Sequence, residues 1–354
     1  MNAKTRRQVI RRTSAAVGTT TLVVVLAGCA QEVPQPEAPP EYTGPMLSVE
    51  QEAGIIEDVA ASIDAATEEL DPEKLKDRVT GPALQVRSGE IALADAQEDG
   101  SGVTEIPSTS ALMVLPTTQT WPRTSINITD RTEDLGVNRM VAYRQDSARE
   151  DYRMWTWVQL IPGTILPNFA DPEVIGSAAV AADDDSLVAT PQDALAQYAD
   201  LVGKGTDDSE HAAAFELPSD TDDLVKRVQA DAKNLREDED FQEADGSVRV
   251  AYAPMSGLVA VRTSDGGAVV MGALDGNVRL TSEDDAELAP VTATQKALIG
   301  DKDPTNELYV EYTDQVALYI PPAGSDALIQ PIGYTHTATA ADTSIPEKRN
   351  TDRE

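Results

Sequence analysis

The 354-residue chain holds one cysteine, two histidines, and only three each of phenylalanine and tryptophan. A lone cysteine excludes an intrachain disulfide, and His211 and His336 do not form the close pair that a zinc site needs. Basic residues are scarce too: 28 Lys and Arg stand against 61 Asp and Glu, a formal charge of −33. That balance excludes nucleic acid as a partner and argues against unaided adsorption to an anionic membrane. There is no G-x-S-x-G elbow, no phosphate loop with its lysine, and no EF-hand spacing in the acidic runs AADDDS and TSEDDAE. On these grounds no catalytic residue, metal or cofactor is assigned.

What is present begins at the amino terminus. Lys4, Arg6, Arg7, Arg11 and Arg12 precede an apolar run from Ala15 to Gly28 that is short for a membrane span, the layout of an export signal. Leu26-Ala27-Gly28-Cys29 resembles a bacterial lipobox, which implies a diacylglycerol on the Cys29 thiol and cleavage before it. Arg6 and Arg7, in TRRQVIR, resemble a twin-arginine export motif, with a generic secretory signal as the alternative. Five prolines between Ala30 and Pro45 predict an extended tether, because proline fixes φ and lacks the N–H that helix and sheet require. Removal of residues 1–28 takes five of the 28 bases and no acid, leaving 23 against 61, or about −38. The expected place is the outer face of the cell membrane, facing the cell-wall or periplasmic space. There a covalent anchor holds a body that the surface would otherwise repel.

Beyond the tether, apolar residues from Val49 to Leu70 recur at three- and four-residue steps, which predicts a helix with Ser48 and Gln51 as a capping box. Asp71-Pro72 predicts a short second helix that ends at Gly81-Pro82. Runs 83–92, 110–116, 123–129, 137–145 and 152–161 then predict strands. In the last, alternation puts Trp155 and Trp157 on one face and Met154, Val158 and Leu160 on the other. Thr190-Pro191 starts another helix, a further one covers about 221–237, and strands follow at 247–253, 257–263, 267–274 and 277–281. Asp275-Gly276 between two of these is a strong hairpin signal, and a strand through Leu308, Val310 and Tyr312 comes last.

The order helix, short helix, then several antiparallel strands occurs twice. It predicts an α+β fold of two tandem domains, 47–170 and 190–340, with a tether at 29–46, a linker at 171–189 and a disordered tail at 341–354. This order resembles the cystatin-like cone of the nuclear-transport-factor-2-like superfamily, which implies amino-terminal helices packed on a curved sheet. The lipobox, the Pro-rich tether, LDPEKLKDRVTGPAL and YRMWTWVQLIPG resemble lipoproteins of actinobacteria. The concave face of such a cone can hold a ligand, and Trp155 and Trp157 are the candidates to line it, although a core role for both is favoured. His211 and His336 lie in no recognisable catalytic spacing. The leading expectation is a lipid-anchored, non-enzymatic binding or assembly module for another envelope protein. An envelope hydrolase or a small-ligand carrier is the alternative.

Overall fold

The computed structural model describes residues 42–97, 102–131, 136–219, 221 and 223–346. The export segment, the lipobox with Cys29, most of the tether, and residues 347–354 of the tail therefore lie outside the described residues.

Local signals set the helices. In α1 (Val49–Glu68) the Ser48 hydroxyl accepts from Gln51 N–H at 3.1 Å, and the Gln51 side chain accepts from Ser48 N–H at 2.9 Å. Its buried stripe is Ile56, Val59, Ile63 and Ala66, each large member contributing about 1.5–3 kcal/mol by burial. A 3₁₀ turn follows over Pro72–Leu75, capped by Asp71. α2 (Gly81–Gln97) occupies the segment where strand 83–92 was expected. The buried residues Ala83, Val86, Ile91 and Ala94 are spaced for one helix face, not for alternation. Gly81 begins this helix with φ +60° and does not end the preceding one.

Strands β1 (Ser110–Val114), β2 (Arg123–Thr129), β3 (Arg139–Gln145) and β4 (Arg153–Leu160) form an antiparallel meander. α3 (Pro191–Lys204) starts as expected, with Thr190 accepting from Asp193 N–H at 3.2 Å. α4 (Leu224–Glu237) and α5 (Glu239–Glu243) precede β5 (Ser247–Pro254) and β6 (Val259–Arg262). β7 (Ala268–Thr281), α6 (Ala293–Ile299), β8 (Glu307–Ile320), β9 (Gln330–Tyr334) and β10 (Ala338–Asp342) complete the chain order.

All ten strands join one antiparallel sheet, with the path β1-β2-β3-β4-β9-β8-β7-β5; β6 pairs with β7 and β10 with β8. This corrects the expected pair of tandem cones. β4 does not close a first sheet, because Gln159 and Leu160 pair with Tyr334 and Gly333 of β9. A buried polar clip secures that seam. The Gln315 side-chain oxygen on β8 accepts from the Thr156 hydroxyl at 3.0 Å and from Trp157 N–H at 3.1 Å. The expected turn at Asp275-Gly276 is absent as well: β7 runs straight through it, paired with β5 on one side and β8 on the other.

The central strands of the sheet, β3, β4, β7 and β8, are buried on both faces. α1 and α2 cover one face of β3 and β4 in a cluster that holds Tyr143, Met154 and Trp157. The opposite face of β2–β4 packs through Ile126, Met140 and Val158 against Val261, Val269, Met271 and Ala317. The other side of β7 and β8 lies beneath α3 and α4, with Tyr198, Leu201 and Val228 over Val270, Val316 and Leu318. At its far end the same face meets α5 and α6 through Phe241, Leu280, Ile299, Leu308 and Val310.

A bulge decides where the two tryptophans go. Ala142 pairs with Thr156, but the next residue, Tyr143, pairs with Met154, so Trp155 is an extra residue in β4. Side-chain parity flips there. Trp155 faces the interior between sheet layers with Val158 and Leu160, whereas Trp157 faces the α1/α2 side with Met154. Expected alternation had placed the two indoles together.

Candidate functional site

The inward row of β8 reads Leu308, Val310, Tyr312, Asp314, Val316, Leu318, and its two polar members sit between two apolar clusters. Asp314 is fully buried and accepts three hydrogen bonds. Its Oδ2 receives the Tyr252 hydroxyl at 3.0 Å and faces His336 Nδ1 at 2.9 Å, and its Oδ1 receives Thr337 N–H at 3.1 Å. A carboxylate so placed holds the histidine proton on Nδ1 and turns Nε2 away from itself. The imidazole is also stacked on Tyr312, with ring centroids 4.5 Å apart and an interplanar angle of 6°. His336 is thus fixed by a carboxylate at one edge and a ring at one face.

The path of the Tyr252 hydroxyl to Asp314 depends on Gly276. The two residues face each other across β5 and β7, and a Cβ on Gly276 would lie 2.4 Å from the Tyr252 ring. Burial and the Asp314 charge both push the Tyr252 hydroxyl well above its ordinary value, so it remains a donor. Burial also raises the Tyr312 hydroxyl, with Gln295 acting the other way.

Two cavities meet at His336. The first, of about 310 Å³, lies beneath α4 and α6 over β5, β7 and β8, and is walled by apolar residues such as Val228, Leu235, Val278 and Val310. Asp231, Asp238, Gln295, Tyr252 and Tyr312 are among its polar residues. The second, of about 350 Å³, is lined by Trp157, Thr335, His336, Thr337, Tyr334 and Arg227 among others. Neither lining contains a serine or a cysteine.

A family model described as a domain of unknown function, DUF8094, matches residues 43–343. The chain belongs to the DUF8094 family. No curated protein matches it, and no solved structure does. The sheet, both cavities and the Asp314–His336 pair all fall inside the DUF8094 domain.

Of the residues singled out from sequence, the DUF8094 domain brings His336 and Trp157 to one cavity. It sends Trp155 elsewhere, packed against Gly81 and Gly257. His211 sits on a 3₁₀ turn beside Glu210, 3.9 Å from its carboxylate, and lines neither cavity. The acidic run at 181–186 is held internally: Asp184 pairs with Arg262 at 2.7 Å and accepts from Ser186, whose hydrogen bonds lower its carboxyl. Among the described residues no group of three or more His, Cys, Asp or Glu is placed to hold a metal, and no helix is long and apolar enough to cross a membrane. Leu26, Ala27, Gly28, Cys29, Arg6 and Arg7 lie outside the described residues.

Asp314 escaped sequence reading although a signal existed. An aspartate in the inward register of a strand otherwise built of Leu, Val and Ile must be paired or neutralised. Glu52 is a second such case, on the buried face of α1. Neither its carboxylate oxygens nor the hydroxyls of Ser125 and Tyr152 have a hydrogen-bond partner. Burial pushes the Glu52 carboxyl up to about 7.

Proposed function

We propose that this protein is a lipid-anchored envelope component that carries a small ligand in the cavity beneath α4 and α6. The observation that carries the reading is His336, fixed by Asp314 and Tyr312 at the point where that cavity meets the second one. A concave, mostly apolar space with a few oriented polar groups is the ordinary form of a ligand site. The envelope location rests on the resemblance of Leu26-Ala27-Gly28-Cys29 to a lipobox. A carrier so anchored would exchange its ligand with another exported component, and the Cys29 diacylglycerol would be its membrane contact.

Binding is tested by titrating the full chain with N-phenyl-1-naphthylamine, a neutral apolar fluorophore. A saturable rise in emission is expected. Val291→Trp, a change at a rim residue 58% exposed, should suppress it without loss of the folded signal in circular dichroism. No saturable emission from the folded wild-type chain would overturn the reading. Anchoring is tested separately: Cys29→Ala should abolish metabolic palmitate labelling and release the protein from the membrane fraction.

A further inference from the structure

The two cavities differ in charge. The first has Asp231 and Asp238 in its lining and no Lys or Arg; the second has Arg227 and no Asp or Glu. Arg227 is exposed, and its guanidinium makes no ion pair among the described residues. Five other arginines are already engaged: Arg78, Arg87, Arg144, Arg153 and Arg262 each have a carboxylate within 4 Å.

The second cavity also gathers donors. The Thr335 hydroxyl oxygen takes both the backbone and side-chain N–H of Gln315, which leaves its own proton to donate. His336 supplies Nε2 from a ring whose other nitrogen is committed to Asp314.

We infer that the ligand is an anionic amphiphile, with its carboxylate or phosphate in the second cavity and its apolar chain in the first. Arg227, Thr335 and His336 would face the charged end. Asp231 and Asp238 would exclude that end from the apolar cavity, so the ligand has one orientation. This inference rests on the carrier reading above and adds the class of ligand.

The test is displacement of N-phenyl-1-naphthylamine from the full chain by four twelve-carbon compounds below their micelle concentrations: dodecanoate, dodecyl phosphate, dodecan-1-ol and dodecylamine. At least one acid is expected to bind ten-fold or more tighter than the alcohol. Arg227→Gln should abolish that preference and leave dodecan-1-ol unchanged. Tighter dodecyl phosphate supports a phospholipid-derived ligand, and tighter dodecanoate a free fatty acid. Equal binding of alcohol and acids, or tightest binding of the amine, overturns the inference while carriage stands. Failure of all four compounds to displace bound probe also overturns the inference. A chain that never binds the probe refutes carriage itself.

Discussion

His336 Nδ1 lies 2.9 Å from Asp314 Oδ2, and the two residues come from different segments: Asp314 from the middle of a fourteen-residue strand, His336 from the short connection between β9 and β10. The carboxylate is the hub of the arrangement and the imidazole its outermost spoke. Asp314→Ala should therefore orphan the Tyr252 hydroxyl, the His336 ring and the Thr337 N–H together, at about 1–3 kcal/mol for each group that finds no water. His336→Ala should cost less stability yet weaken probe binding by a comparable factor. Urea unfolding and fluorophore titration on both variants separate hub from spoke.

Glu52 predicts a pH dependence with a definite sign. Its folded-state value is about 7 against 4.5 for the free group, so between those values the native chain binds a proton that the unfolded chain has lost. Stability should then fall as pH rises from about 4.5 to 7, by about 3 kcal/mol in all, and level off above. Ser125, Tyr143 and Tyr152, from β2, β3 and the residue before β4, are its polar neighbours, and burial raises both tyrosines. Glu52→Gln should flatten the slope and gain most at pH 8. Parallel urea midpoints for the two proteins from pH 5 to 8 would refute this.

Gly276 predicts a packing effect transmitted to a hydrogen bond. A Cβ there meets Tyr252 Cε1 at 2.4 Å and its hydroxyl oxygen at 2.9 Å. Gly276→Ala should push the ring aside, break its bond to Asp314 and cost about 1–3 kcal/mol. Tyr252→Phe in the same background should then add little, a non-additivity that a double-mutant cycle in thermal unfolding measures.

Two glycines predict opposite signs. Gly81 has φ +60°, and its added Cβ would lie 2.5 Å from the Trp155 indole nitrogen, so Gly81→Ala should destabilise by about 2 kcal/mol or more. Gly54 is exposed in the interior of α1 with nothing within 4 Å. Gly54→Ala should stabilise by about 0.5–1 kcal/mol. Melting temperatures that move the same way in both would contradict the account.

Local chemistry was legible and long-range pairing was not. The capping box at Ser48, the Pro191 start, and most strand positions follow from neighbours within four residues. The bulge at Trp155 has no local signature, because it answers to the partner strand β3. Asp275-Gly276 misleads for a similar reason: the glycine serves the Tyr252 ring across the sheet, and the chain does not turn. The single sheet depends on Leu160 meeting Gly333, a pairing between segments far apart that no window of sequence contains. Of the site, Trp157 and His336 could be noticed as scarce residue types, while Asp314, Tyr252 and Arg227 needed the fold to connect them.

The seam between β4 and β9 also sets an order of events during synthesis. When β4 leaves the ribosome, its free edge has no partner until Gln330–Tyr334 is made, well over a hundred residues later. Until then the nascent protein exposes a strand whose side chains are apolar on both faces, the kind of edge that recruits a neighbour's strand. A chain exported as an unfolded thread must keep that edge shielded twice, once on each side of the membrane. One that crosses already folded faces the hazard only once, in the compartment where it is made.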